Sequence, residues 1–286
     1  TLTLGGNLSL STNTGSFTAN GGIIRFTGTG TQTVNPGLNG ASPNSFATID
    51  LAKTGGSISF ITNPLTVTKL IQSNSNNFTI SFIENLSVTN GVVFNTAGTL
   101  TLGNALTDTF AFVGGLTHTT GNTVLSGNIQ TTNQNISLED ITLGSNASLS
   151  SGTGSINITG NTIGAGHNLA ISGDTSFSGT VSGLGSLKIT GNAVFSGAVS
   201  NTDSIEVTGT SAINGASITT TGAQTYTGAV TLGANTTFTA NSGSLVRFGG
   251  TVAGSGSPRS LTVATANSRF DGAVSGNIST VNITGT

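Results

Sequence analysis

Nine acidic side chains are the residues of this sequence best suited to chemistry, because glycoside-cleaving enzymes use paired carboxylates as acid and base. They are Asp50, Glu84, Asp108, Glu139, Asp140, Asp174, Asp203, Glu206 and Asp271. Only Glu139 with Asp140, and Asp203 with Glu206, lie close in sequence. Adjacent residues of a strand point to opposite faces, so Glu139 and Asp140 would converge only on a turn. We expect Asp203 in a turn and Glu206 facing outward from a strand, and we interpret the acids as surface charges.

Other reactive groups are scarce. The histidines His118 and His167 are far apart in sequence, and we interpret both as surface or turn residues. Cysteine is absent, which excludes disulfides and thiolate metal sites. The glycine-rich run from Gly249 lacks the Gly-Lys-Ser/Thr ending of a phosphate-binding loop, and no Gly-x-Ser-x-Gly motif accompanies a histidine. The sequence therefore predicts no catalytic residue, no metal site and no cofactor.

The composition excludes several classes of partner. Charged residues make up 6% of the 286 residues, against roughly 25% in a typical domain, and the formal net charge is −2. Nucleic-acid binding needs a clustered basic face, whereas the seven Lys and Arg residues are scattered. No apolar run approaches the length of a membrane-spanning helix. A mean hydropathy of +0.18 still allows a buried core.

The elements that must position these residues are short strands. Apolar and polar residues alternate in bursts such as "GSISFIT" from Gly56, "LTVTKLI" from Leu65 and "SLKITGN" from Ser186. Each burst ends at Gly, Asn or Ser, which is typical of strands bounded by turns. Convincing helical periodicity is absent, so we predict an all-β protein.

A longer repeat predicts how the strands are arranged. An aromatic residue followed by x-Gly-x-Val recurs at intervals of 18, 31, 22 and 22 residues. The aromatic residues are Phe177, Phe195, Tyr226, Phe248 and Phe270. A period of about 20 residues suits one turn of a parallel β-helix. We expect the five aromatic residues to form one ladder inside the coil, with Val181 over Val199 and glycines at bends where φ turns positive.

These observations predict a right-handed parallel β-helix, or solenoid, of roughly 14 turns. Residues 1–286 are interpreted as a single repeat domain. Residues 1–115 would form irregular turns, with the segment Val34–Phe46 leaving the coil as a loop, and residues 116–286 regular turns. The chain begins at Thr1 and stops inside a repeat-like phrase, so we expect part of a longer chain or a subunit of a polymer.

Two long stretches resemble a known family. They are "FSGAVSNTDSIEVTGTSAINGASITTTGAQTYTGAVTLGANTTF", Phe195–Phe238, and "GGLTHTTGNTVLSGNIQTTNQNISLEDITLGSNASLSSGTG", Gly114–Gly154. Both are similar to the β-strand repeats of filamentous-haemagglutinin-like adhesins and autotransporter passengers of bacteria. The resemblance covers residues 98–286 well and the first third weakly. It implies a secreted β-helical shaft on a bacterial surface and brings no catalytic residues.

We therefore expect a structural extracellular protein or fibre shaft that supports adhesion, cell aggregation or a biofilm matrix. Its partners would be copies of itself end to end, further repeats, and glycans or proteins of host or neighbouring cells. The alternative is a carbohydrate-active β-helix, a polysaccharide lyase or hydrolase, and a cross-β amyloid fibre is a third class. Threonines alternate in "TGTGTQT", Thr27–Thr33, as on ice-binding faces, but such phrases do not recur in register along the sequence.

Overall fold

The computed structural model describes residues 1–10, 21–39 and 42–285 of the chain. Every regular element among them is a β-strand, which confirms the predicted all-β class. None of the described segments forms a long apolar helix of the kind that crosses a membrane. The chain divides into two compact units, Thr1–Gly154 (unit 1) and Ser155–Thr286 (unit 2), and each is described by itself.

The strands of unit 1 are β1 Leu2–Leu4, β2 Leu8–Ser9, β3 Ile23–Phe26, β4 Thr31–Asn35, β5 Leu38–Asn39, β6 Ser42–Pro43, β7 Ser45–Leu51, β8 Ser57–Phe60, β9 Leu65–Ile71, β10 Thr79–Phe82, β11 Leu86–Val88, β12 Val92–Phe94, β13 Leu100–Leu102, β14 Thr109–Phe112, β15 Leu116–Gln130 and β16 Ile136–Ile158, whose last residues belong to unit 2.

The remaining strands of unit 2 are β17 Thr162–Ile163, β18 Asn168–Phe177, β19 Val181–Ser182, β20 Ser186–Thr190, β21 Ala193–Phe195, β22 Val199–Thr202, β23 Ser204–Val207, β24 Ser211–Ile213, β25 Ser217–Thr220, β26 Gln224–Tyr226, β27 Val230–Leu232, β28 Thr236–Ala240, β29 Leu245–Phe248, β30 Val252–Ala264, β31 Asn267–Phe270 and β32 Val274–Thr284.

Equivalent strands of successive turns pair in parallel. In unit 1, β8 pairs with β4 on one side and β10 on the other, and in unit 2, β20 lies between β18 and β23. The described residues make about 14 such turns, so the predicted β-solenoid is confirmed. Parallel stacking leaves every second side chain inside the coil, which is why the strands alternate between buried and partly exposed residues.

The cores of both units consist of columns of apolar side chains. In unit 1, Phe60 and Phe82 are buried on successive turns, with ring centroids 4.8 Å apart and planes inclined by 14°. This separation matches the distance of about 4.8 Å between neighbouring strands. The rings therefore stack face to face because the turns stack directly.

In unit 2 the repeated aromatic residues occupy two columns, whereas the sequence predicted one ladder. Phe177 pairs with Phe195, and their parallel rings lie 5.3 Å apart. The column then continues through Ile213, because β24 lies above β21. Val181 pairs with Val199 in a neighbouring column.

Tyr226 begins the second aromatic group. It lies above Val207 and below Phe248, and Phe248 lies below Phe270. The ring centroids are 5.6 Å apart for Tyr226 and Phe248, and 4.9 Å for Phe248 and Phe270. The interval of 31 residues between Phe195 and Tyr226 thus combines more than one turn with a change of column.

The segment Val34–Phe46, predicted as a loop, contains a small hairpin. Leu38–Asn39 pairs antiparallel with Ser42–Pro43, unlike the parallel pairings between successive turns. The hairpin departs from the parallel stack, as expected of an insertion between turns. Residues 40 and 41 of the predicted loop lie outside the described residues.

The glycines of the repeated Phe-Ser-Gly phrase have a role different from the expected one. Gly179 and Gly197 do not have positive φ angles. A Cβ atom on Gly197 would collide with the carbonyl group of Gly179 one turn away, and a Cβ atom on Gly215 would collide with that of Gly197. Glycine is required here because successive turns approach too closely for a side chain, not because the backbone bends to positive φ.

Candidate functional site

Several acidic side chains form ion pairs between turns. Asp50 accepts a hydrogen bond of 2.7 Å from Arg25 Nε on the preceding turn, and Glu206 accepts one of 3.1 Å from Lys188 Nζ. Glu206 faces outward, as predicted. Asp50 is fully buried and Asp108 is also buried, so the interpretation of these two residues as surface charges is wrong. For Asp108 the cause is a pair of backbone N–H groups that bond to its carboxylate. For Asp50 the cause is its ion-pair partner Arg25, which neutralises the carboxylate where it is removed from water.

Asp271 is held by two arginines. Arg247 donates to Asp271 Oδ2 at 2.7 Å, and Arg269 donates to Asp271 Oδ1. These hydrogen bonds, the one from Arg269 foremost, lower the pKa of the Asp271 carboxyl group. Arg247 and Arg269 are direct neighbours on successive turns, and Asp271 reduces the repulsion between them.

Other carboxylates accept hydrogen bonds where the chain turns. Asp108 accepts the backbone N–H groups of Asn104 and Ala105 at 2.9 Å, and Asp203 accepts the Thr221 hydroxyl at 2.7 Å. No group of three or more His, Asp or Glu side chains that could hold a metal ion occurs within the described residues. Asp108 therefore forms hydrogen bonds within its own turn, and Asp203 forms one to the next turn.

His118 is fully buried, which contradicts its interpretation as a surface or turn residue. Its ring lies edge-on to Phe94, with centroids 6.4 Å apart. Nε2 donates to the Thr96 carbonyl at 3.2 Å, so Nδ1 accepts from the Thr123 hydroxyl at 2.9 Å in the neutral ring. Burial lowers the pKa of His118, although the bond to Thr96 opposes the shift. His167 lies at a turn in unit 2, half-buried, as expected.

Lys53 is a buried cation that sequence reasoning missed. Its Nζ atom donates to the Gly30 carbonyl at 2.8 Å, the Gln32 side-chain oxygen at 3.0 Å and the Gly28 carbonyl at 3.4 Å. Gln32, also buried, donates in turn to the carbonyl of Gly6 at 3.0 Å. Burial lowers the pKa of Lys53. The network links turns of unit 1 through a core that alternation alone would predict to be apolar.

Hydroxyl side chains form two outward-facing rows in unit 1, defined here as the hydroxyl rows. The first contains Thr31, Ser57 and Thr79, and the second Thr33, Ser59, Ser81 and Thr101. The Thr-x-Thr phrase of Thr31–Thr33 does not recur on the two turns that follow, as expected, because the equivalent residues there are Ser57 with Ser59 and Thr79 with Ser81. Strand pairing nevertheless brings serine and threonine hydroxyl groups to equivalent positions.

Each unit has a depression on its surface that is lined by described residues. The one in unit 1 has a volume of about 300 Å³ and is lined by Gly91, Val92, Val93, Gly114, Gly115, Leu116, Thr117, Gln134 and Asn135. None of these residues is charged. Val93 is 50% exposed beside three glycines, which contribute no side chains to this depression.

The depression in unit 2 has more side chains capable of specific binding. Its volume is about 200 Å³, and it is lined by Ser155, Asn157, Asp174, Thr175, Ser176, Asn192 and Val194. We name it the Asp174 depression. Asp174 and Asn192 are exposed lining residues of this depression. Val194 pairs with Ser176 of the preceding turn, and both side chains face outward from the coil. A carboxylate, amides, hydroxyls and one apolar side chain thus converge on one small surface.

Asp174 belongs to a ladder of side chains at the corners of the coil. Its Oδ1 atom accepts the backbone N–H of Asn192 at 2.9 Å, and Asn192 Oδ1 accepts that of Thr210 at 2.8 Å. Asn161 makes the same bond to Thr180 at 3.0 Å. The pairs Gly160-Asn161, Gly173-Asp174 and Gly191-Asn192, which share a glycine before the ladder residue, could have indicated this ladder. The depression gave no sequence signal, because its residues come from different turns.

Comparison with known proteins gives no assignment. No protein-family model matches the chain, and no match was found among curated proteins or solved structures.

Proposed function

We propose that the chain is a structural part of a secreted bacterial surface protein or fibre, a shaft that supports adhesion, cell aggregation or a biofilm matrix. The observation that carries this proposal is the use of the charged side chains. Asp50, Glu206 and Asp271 form ion pairs between turns, and Asp203 bonds to the next turn. A hydrolase or lyase would gather such carboxylates in one groove. In this chain, these four carboxylates instead connect neighbouring turns of the solenoid.

The resemblance to filamentous-haemagglutinin-like repeats supports the same proposal, since it rests on quoted phrases that form strands of the solenoid. A neutral, hydroxyl-rich surface makes individually weak contacts, and repetition converts such contacts into avidity. Association of copies end to end, or continuation by further repeats, belongs to this proposal, because the same parallel pairing that joins successive turns can join one copy or repeat to the next.

The test combines adhesion with enzymology. Purified protein immobilised on beads should bind bacterial or host cells and should aggregate cells when presented at high density. Electron microscopy of the native material should show fibres or elongated surface projections. Release of reducing or unsaturated ends from acidic polysaccharides, without cell binding, would favour the carbohydrate-active alternative.

The hydroxyl rows favour a second candidate function, recognition of ice. Ser57 Oγ donates to Thr31 Oγ1 at 3.2 Å, and the rows carry no charge over successive turns. A regular, neutral array of hydroxyl groups can order water in the same period. The wild-type protein should slow ice recrystallisation, and the outward substitutions Ser59→Lys and Ser81→Lys should abolish the effect. Equal activity of wild type and variants would exclude this function.

A further inference from the structure

We propose that the Asp174 depression is a binding subsite for one neutral sugar residue of a cell-surface glycan. This inference rests on the proposed adhesive function and assigns it a location. The argument begins with a charge that the fold does not require. The corner ladder needs only an oxygen that accepts a backbone N–H, and Asn161 and Asn192 supply it without charge. Asp174 makes the same bond with a carboxylate.

The carboxylate is exposed and is not part of an ion pair in the described region of the chain. Of its two oxygen atoms, Oδ1 accepts the Asn192 backbone N–H and Oδ2 accepts Asn192 Nδ2 at 3.2 Å. A carboxylate has about four acceptor positions, so both atoms can accept further hydrogen bonds from a ligand. Hydrogen bonds to an ionised acceptor are stronger than those between neutral groups.

The surrounding side chains match the chemistry of a sugar. The amide of Asn157 can donate and accept, which suits a pair of neighbouring hydroxyl groups. Asn192 can only donate to a ligand, through the second N–H of Nδ2, because its Oδ1 atom already accepts the Thr210 backbone N–H and hydroxyl. Ser176 adds a hydroxyl, and Val194 beside it offers an apolar contact for a C–H face. Small binding sites generally combine a few orienting polar groups with apolar contacts of this kind.

Charge and size select the class of ligand. A uronic or sialic acid would bring a second negative charge to Asp174, with no cation in the lining to offset it. A volume of about 200 Å³ lies below the roughly 300 Å³ at which pockets begin to accommodate drug-sized ligands. The depression therefore admits one sugar residue of a longer chain, with a dissociation constant on the order of 1 mM and useful strength only through avidity.

The experiment uses the full chain and methyl glycosides of glucose, galactose, mannose and N-acetylglucosamine as probes. Saturation-transfer NMR should detect binding of at least one of them, and a multivalent display of the same sugar should bind the immobilised protein. Asp174→Asn keeps the oxygen that accepts the Asn192 backbone N–H, removes the charge and gives up the exposed hydrogen bond from Asn192 Nδ2. We expect it to weaken sugar binding at least tenfold with only a small fall in the midpoint of urea unfolding.

Asp203→Asn is the matched control, because it removes a carboxylate that also bonds to the next turn but does not line the depression. It should leave sugar binding unchanged, while Val194→Glu, which adds bulk and charge to the outward face, should abolish it. The proposal would be overturned if none of the four methyl glycosides bound, or if wild type and Asp174→Asn bound the same sugar equally well. Cell adhesion is measured in parallel: adhesion without sugar binding refutes only the subsite, whereas loss of both refutes the adhesive function too.

Discussion

The division of the aromatic residues of unit 2 into two columns can be tested by double-mutant cycles. Phe177 and Phe195 have parallel buried rings with centroids 5.3 Å apart. Replacing either residue by leucine should lower the free energy of unfolding by about 1–2 kcal/mol through lost packing. Aromatic pairs contribute about 0.5–1.5 kcal/mol beyond area burial, so the double variant should show a coupling energy of that size.

Phe195 and Tyr226 provide the control cycle. A single ladder would make them neighbours, whereas the strand pairing places Ile213 above Phe195 and Val207 below Tyr226. Tyr226 then lies two turns beyond the turn of Phe195, at least about 9 Å away at 4.8 Å per turn. Their leucine substitutions should therefore add within about 0.5 kcal/mol.

Urea unfolding followed by circular dichroism measures both cycles. Tyr226 is the only tyrosine and tryptophan is absent, so tyrosine fluorescence identifies the transition of unit 2 in every variant that retains Tyr226. Coupling between Phe195 and Tyr226 as large as that between Phe177 and Phe195 would refute the two-column arrangement. Absence of coupling between Phe177 and Phe195 would refute the stack.

Three further substitutions test buried and tightly packed positions of unit 1. The pKa of His118 is lowered in the folded protein, so unfolding takes up a proton at pH values below the unfolded pKa of 6.5. The free energy of unfolding should therefore fall as the pH drops from 6.5 towards the folded pKa, by at most about 1.4 kcal/mol per pH unit. His118→Leu should remove this pH dependence in urea titrations at several pH values. Lys53→Met should cost about 1–3 kcal/mol in the same assay, because the Gly30 carbonyl and the Gln32 oxygen lose their donor; an unchanged midpoint would contradict the network. Gly103→Ala should destabilise unit 1 by at least about 1 kcal/mol, because φ is +83° and a Cβ atom would collide with the Ser126 carbonyl oxygen. Gly243→Ala is the control, since φ is +84° there and no atom lies close to the added Cβ. Thermal unfolding should show a larger loss of stability for Gly103→Ala than for Gly243→Ala.

Much of the fold could be predicted because it depends on local patterns. Alternation in phrases such as Ser57–Phe60 and Ser186–Thr190 corresponds to strands β8 and β20. The interval from Phe177 to Phe195 is one complete turn, since these residues pair directly. Alternation also placed Leu116 and His118 on the same face of β15, where both are buried. The alternation in β15 therefore predicts the burial of His118 despite the polarity of its side chain.

The column of each aromatic residue could not be predicted in this way. A buried column accepts aromatic or aliphatic side chains of suitable volume, as the succession of Val207 and Tyr226 shows. An aromatic residue at a similar interval can therefore belong to another strand of the turn. Because the Asp174 depression depends on which turns adjoin, it likewise requires the strand register. Neither the column nor the depression is specified by spacing alone.

The low charge content follows from the same stacking. Side chains at equivalent outward positions lie about 4.8 Å apart, and like charges directly opposite each other destabilise a sheet. Lys188 accordingly faces Glu206, and Arg25 faces Asp50. Hydroxyl and amide side chains can repeat from turn to turn without this repulsion, so they fill most outward and corner positions. In this setting Asp174 is an exposed carboxylate outside the described ion pairs, and its charge is available to the ligand that we propose for the depression.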